Sequence, residues 1–209
     1  MNIERPYPSE AVLESFGRMT PDPELREWIY TNYIEDTGPL YSDDHDHLQH
    51  ASIGVLWSTE PNTRQGRAII GQAEIPAKST MGGKWLRARV MQQLADWFGE
   101  IPDFLITLDA NYCAVCPNVD FLALVDHELT HCAQDRDAFG MPKFNKQTGM
   151  PTFTMRGHDV EEFVSVVRRF GVGAAGAEAK ALVEAAQSKP EIGAANIAKA
   201  CGTCLKAAA

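Results

Sequence analysis

The 209-residue sequence lacks any apolar run close to the roughly 18 residues that a membrane span requires. It also lacks a basic N-terminal segment followed by an apolar run, so we expect no secretory signal and a cytoplasmic location. Basic residues are too few to balance the acidic ones, with 19 Lys and Arg against 28 Asp and Glu and a net charge of -9. This charge argues against nucleic acid or an anionic membrane as a partner.

Cysteine is scarce, and in a chain expected to remain in a reducing compartment its five residues favour metal binding or free thiols over disulfides. Four of them form two Cys-x-x-Cys pairs, Cys113 with Cys116 and Cys201 with Cys204. Four thiolates from two such pairs could bind a structural zinc ion and hold the C-terminal tail against the rest of the protein. Ordinary reduced cysteines and a redox role are the alternatives.

The composition, with 44% hydrophobic and 22% charged residues, is typical of a folded globular chain. We predict an irregular, proline-interrupted arm over residues 1–20, one domain over 21–170, and an Ala-rich helical tail over 171–209. Strand-like runs come first and helical runs follow, which predicts an α+β fold.

Hydrophobic periodicity predicts the individual elements. Strands are expected at about 51–58, 67–75 and 103–108, and helices at about 21–34, 84–98, 119–136 and 158–170. Trp57, Trp85 and Trp97 are expected in the core.

The segment His127-Glu128-Leu129-Thr130-His131 is a His-Glu-x-x-His motif within the helix predicted at 119–136. Two histidines four residues apart lie on one face of a helix, where both imidazoles can reach one zinc ion. Glu128 projects about 100° away around the helix, so it can take a proton from a water molecule without acting as a ligand. Leu122, Val125, Leu129 and Cys132 mark the opposite, buried face.

Two histidines do not complete a zinc site, so a third ligand must come from another segment. The segment from Gly157 to Phe163 is the best source, and we favour His158 as the ligand, with Glu161 or Glu162 as alternatives. An oxyanion-stabilising donor is also needed, for which Tyr112 and Arg156 are candidates by their position in the sequence.

The segment Ala123–Cys132, together with the downstream run His158-Asp159-Val160-Glu161-Glu162-Phe163, resembles the phage metallopeptidase family over about residues 45–170. It is more distantly similar to the SprT-like zinc proteases. The resemblance implies a compact zincin-like domain, with a small mixed sheet packed on the motif helix. It also implies zinc ligation by His127, His131 and His158, Glu128 as the general base, and a cleft edge formed by Phe104–Leu108.

The sequence therefore predicts a zinc-dependent metallopeptidase that acts on a protein or peptide substrate. The alternative from another class is a zinc-stabilised binding or inhibitor protein that keeps the motif and cleaves nothing. Hydrolysis of a non-peptide amide is a third and weaker possibility.

Overall fold

A mixed β-sheet packed against helices forms the centre of the protein. In this computed structural model, residues 3–64, 66–160, 176–195 and 200–201 are described. Their helices are α1 Glu10–Leu13, α2 Pro23–Ile29, α3 Pro76–Ser79, α4 Lys84–Phe98, α5 Ala110–Val115, α6 Asn118–His131 and α7 Gly176–Gln187. Their strands are β1 Met19–Pro21, β2 Ile53–Ser58, β3 Thr63–Arg64, β4 Arg67–Glu74, β5 Phe104–Asp109, β6 Cys132–Gln134, β7 Phe153–Met155 and β8 Ala200–Cys201. A π-helical turn follows α2 at Tyr30–Ile34, and a 3-10 helix spans Asp43–His50.

The strand order across the main sheet is β1-β2-β5-β4-β3, and β8 also pairs with β4. β5 runs parallel to β2 and antiparallel to β4, so it lies inside the sheet. The prediction that Phe104–Leu108 forms the cleft edge is therefore wrong. The physical reason is that this apolar strand is buried along most of its length, as is typical of an interior strand.

The motif helix α6 packs against the sheet through its apolar side and contacts β4. Leu122, Val125, Leu129 and Cys132, the predicted buried face, are all buried in the core. The expected combination of strands and helices around a mixed sheet is thus confirmed. Among the helices of the described ranges, none has both the length and the apolar character needed to cross a membrane.

α4 begins and ends where the periodicity predicts, but it contacts the sheet only through its C-terminal half. There Leu94 packs with Leu56 and Leu105, and Trp97 lies against this cluster. The prediction that Trp85 belongs to the core is wrong, because this side chain is 93% exposed in the first turn of α4. Trp57, on β2, is buried as predicted.

The N-terminal segment is more regular than the predicted arm over residues 1–20. It contains α1, and β1 pairs antiparallel with β2. Arg5 is only 4% exposed and donates hydrogen bonds to the carbonyl oxygens of Cys113 and Cys116. These contacts join the segment to the turn before α6, and the division of the chain at residues 20 and 170 stays a prediction.

The helix predicted at 119–136 is shorter in the structure, because α6 ends at His131 and the chain becomes extended at Cys132. β6 then pairs antiparallel with β7, a strand within the predicted loop. His158, expected to begin a helix, lies in a non-helical stretch after β7. Residues 159–160 are not helical either, residues 161–170 of the predicted helix lie outside the described residues, and α7 gives the tail a helix.

Candidate metal centre

Two histidine rings of α6 are brought together by helical spacing. His127 and His131 are four residues apart, and their Nε2 atoms lie 3.2 Å from each other. His131 is almost completely buried and His127 is half-buried. The motif helix therefore holds one ring in the core and the other at the wall of a cavity.

The segment that follows β7, Arg156–Asp159, is called the return segment here. Its first residue fixes the orientation of the His131 ring. The backbone N–H of Arg156 donates to the carbonyl oxygen of His131 at 2.9 Å. In return, Nδ1 of His131 lies 2.7 Å from the carbonyl oxygen of Arg156. Because a carbonyl oxygen only accepts, Nδ1 must carry the ring proton, which leaves the lone pair of Nε2 directed at His127.

His158 follows Arg156 by two residues and completes the cluster. Its Nε2 lies 3.3 Å from Nε2 of His127, and the ligand atoms of His127, His131 and His158 all lie within 4.8 Å of one another. A tetrahedral zinc ion about 2.0–2.1 Å from each nitrogen would place the nitrogens about 3.3 Å apart. The separations of His127 from His131 and from His158 match this spacing, so the donor set fits a zinc ion.

The chemistry of these nitrogens also favours a cation. Nε2 of His127 carries at most one proton, so it cannot donate a hydrogen bond to Nε2 of His131 and to Nε2 of His158 at the same time. A metal ion between the three rings would instead accept a lone pair from each of them. The cluster is thus suited to a metal, and the exposed His158 keeps one side of it open to solvent.

Glu128 lies on a different side of α6 from the cavity. Its side chain is fully buried, and its carboxylate faces Gly71 of β4. A Cβ built on Gly71 would lie 2.7 Å from Oε1 of Glu128 and 2.8 Å from Cδ1 of Leu124. The strand β4 therefore packs directly on the carboxylate that the motif predicts to be the general base.

The cavity beside the three histidines is lined by residues of α6 and by the segment after β7. Arg156 lies in its wall and forms a 2.6 Å ion pair with Asp159. Asp126, also in the wall, has a pKa raised by burial, although His45 opposes that shift. Of the two predicted oxyanion donors, Arg156 lines this cavity and Tyr112 does not.

A second and larger cavity shares Thr130 and Arg156 with the first one. It lies between the 3-10 helix and the β6–β7 hairpin. Nε2 of His47 is 2.7 Å from the carbonyl oxygen of Cys132, which connects this 3-10 helix to the residue after the motif. The cavity beside the three histidines thus adjoins the larger cavity, and together they form a longer groove.

The cysteine prediction is only partly within the described residues. Cys113 and Cys116 are buried near the end of α5, and a hydrogen bond between their side chains lowers the pKa of Cys116 to about 7. The backbone of Cys201 lies in β8, its side chain is not described, and Cys204 lies outside the described residues. The shared structural zinc site stays a prediction.

Glu161 and Glu162, the alternative third ligands, also lie outside the described residues. Two features of the site were missed in the sequence. Gly71 has no local signal, because its importance depends on which strand lies beside α6. The backbone of Arg156 was missed because a main-chain hydrogen bond leaves no trace in residue type.

Fold and site together define a mixed α/β protein with a histidine cluster that could hold a metal ion. Residues 26–187 match the family model described as "Putative phage metallopeptidase", and the chain belongs to that family. The predicted family is thereby confirmed, and membership suggests a metal-dependent peptidase with protein or peptide substrates. No curated protein and no solved structure gave a significant match.

Proposed function

We propose that the protein is a zinc-dependent peptidase of the zincin type that hydrolyses peptide bonds. The observation that carries this proposal is the convergence of three Nε2 atoms from His127, His131 and His158 beside a helix that also bears Glu128. Family membership supports peptides as the substrate class and the cytoplasm of an infected bacterium as the place of action.

The three histidines would hold the zinc ion, which when bound polarises the scissile carbonyl and makes water a better nucleophile. Glu128 accepts the proton of the attacking water and later gives it to the leaving amine. The guanidinium of Arg156, in the cavity wall, stabilises negative charge that develops on the carbonyl oxygen. The hydrogen bond between Nδ1 of His131 and the carbonyl of Arg156 keeps that ring in the tautomer that a ligand requires.

The test of this mechanism is Glu128→Gln, which keeps the shape of the side chain and removes its basicity. We expect zinc to remain bound and peptide hydrolysis to fall by at least about 100-fold, the lower end of a general base's contribution. Cleavage of a fluorogenic peptide library and zinc content would be measured on the same samples. Glu27→Gln, an exposed change on α2, is the matched control and should behave as the wild type. Full turnover in Glu128→Gln would refute the role.

A second candidate function is a zinc-stabilised binding or inhibitor protein without catalysis. It is favoured by the complete burial of Glu128 and by β8, which pairs with β4 at Gly71 on the side opposite to β5. At Gly71, the β4 residue that faces the proposed base, both edges of the strand are thus occupied by the chain's own residues.

Ala200→Pro separates the two functions, because proline lacks an N–H and is disfavoured in a paired strand. If β8 closes a working site, this variant should cleave peptides faster than the wild type. Ala195→Pro, in the tail outside β8, is the matched control and should leave the rate unchanged. If the wild type and Ala200→Pro both bind zinc and neither cleaves any peptide, the binding function is supported instead.

A further inference from the structure

The contact between β4 and the motif helix depends on one residue without a side chain. Gly71 is buried, and it pairs with Leu108 of β5 within the sheet. A methyl group at this position would lie 2.7 Å from Oε1 and 3.1 Å from Cγ of Glu128. Real Cβ atoms do not approach neighbours so closely, so the Glu128 side chain can occupy its position only because residue 71 is glycine.

Backbone conformation does not explain this glycine. Its φ lies outside the left-handed region where glycine is favoured, unlike that of Gly66 or Gly99. Strand residues of any type could adopt the backbone of Gly71, and therefore space alone restricts the residue type. What fills that space is the side chain of Glu128, together with Leu124 one turn before it on α6.

We propose that Gly71 is a positioning residue for Glu128: the bare backbone of β4 sets where the carboxylate lies relative to the three histidines. The inference rests on the proposed function, in which that carboxylate is the general base. β4 lies beside the helix and approaches it from the side of the sheet, whereas the histidines face the cavity. The carboxylate therefore lies against β4, and the position of that strand limits where the carboxylate can reach.

The variant Gly71→Ala adds one methyl group at the contact. We expect kcat to fall by about 10- to 100-fold, because displacing a catalytic group by up to about 1 Å has effects of this size. KM and zinc content should stay within twofold of the wild type, since the atoms nearest to the new methyl group belong to Glu128 and Leu124. Gly54→Ala on β2 is the matched control: its new Cβ would lie 2.9 Å from the ring of Phe98, in the packing against α4. It should leave kcat unchanged.

Rescue by a shorter acid distinguishes positioning from a general loss of packing. Aspartate at position 128 withdraws the carboxylate by one methylene and relieves the overlap with the new methyl group. The double variant Gly71→Ala/Glu128→Asp should therefore lose less activity than the product of the two single effects, and it should melt at a higher temperature than Gly71→Ala. If Gly71→Ala does not fold and the double variant does, the overlap is shown directly. If neither folds, or if the two effects multiply, the proposal is overturned.

A readout independent of turnover separates this proposal from the proposed function. The ¹³C resonance of the Glu128 carboxyl, assigned by its disappearance in Glu128→Gln, should shift in Gly71→Ala and stay in place in Gly54→Ala. A shift in a protein that cleaves nothing would support the positioning role and contradict the peptidase. An unmoved resonance, or a kcat of Gly71→Ala within twofold of the wild type while Glu128→Gln is inactive, would overturn the positioning role alone.

Discussion

The three-histidine cluster joins two regions of the protein that are stabilised in different ways. On the α6 side, His131 is 2% exposed and Glu128 is completely buried, so both are fixed by the packing of the helix on the sheet. On the other side, Arg156, Gly157, His158 and Asp159 are all exposed. That segment is positioned mainly by its hydrogen bonds to His131 and by β7, which precedes it.

This difference indicates that one half of the site is part of the core. The other half comes from the exposed return segment after β7. Changes on the α6 side should affect metal binding and folding together. Changes on the return segment should affect metal binding with little effect on folding. The following variants test that separation.

His131→Ala should have the largest effect. It removes a ligand, the N–H that donates to the carbonyl of Arg156, and a buried ring. We expect zinc affinity to fall by more than about 100-fold, beyond the loss expected for an outer hydrogen-bond partner. The free energy of unfolding of the metal-free protein should fall by about 2–4 kcal/mol. Competition titration with a zinc chelator and urea denaturation measure the two effects. His50→Ala, an exposed change on the 3-10 helix, should alter neither.

His158→Ala should lower zinc affinity to a similar extent without a comparable loss of stability. The ring is exposed, and metal-free stability should change by less than about 0.5 kcal/mol, as is usual for surface substitutions. Glu161→Gln and Glu162→Gln, measured in the same titration, should bind zinc normally. If His158→Ala keeps the zinc affinity of the wild type and one of the Glu variants loses affinity, that glutamate and not His158 is the third ligand.

Phe153→Ala should have a smaller and mixed effect, because β7 connects the two regions. The ring packs on Phe104 of β5, with centroids 5.2 Å apart. We expect a loss of about 1–3 kcal/mol in unfolding free energy, less than for a fully buried phenylalanine, and a loss of zinc affinity of about tenfold. Phe144→Ala, an exposed change farther along the same hairpin, should be neutral. Wild-type zinc affinity in Phe153→Ala would show that β7 does not position the return segment.

The sequence was most informative where periodicity and side-chain chemistry act locally. The buried face of α6 follows from the spacing of Leu122, Val125 and Leu129, and the motif histidines share a side by the same geometry. His158 was predicted as the first residue of a downstream helix, on its polar side; the structure shows no helix there but places the ring beside the other two. Its role as a ligand stays a prediction.

What the sequence did not reveal depends on how distant segments are arranged. β5 is apolar enough for either an edge or an interior strand, and only the pairing with β2 and β4 decides between them. Gly71 looks like any other strand glycine until β4 is placed against Glu128. Trp85 fits the helical periodicity of α4 but is 93% exposed, because periodicity marks one face of a helix and not how far along the helix that face is covered.

The central claim is that His127, His131 and His158 hold one zinc ion, and the most direct measurement is zinc content per chain by elemental analysis. We predict that His127→Ala lowers the content by one ion. A decrease from two to one would mean that the cysteine pairs hold a second zinc ion, and a decrease from one to zero would mean that they hold none. A wild-type protein without zinc, or an unchanged content in His127→Ala, would contradict the account.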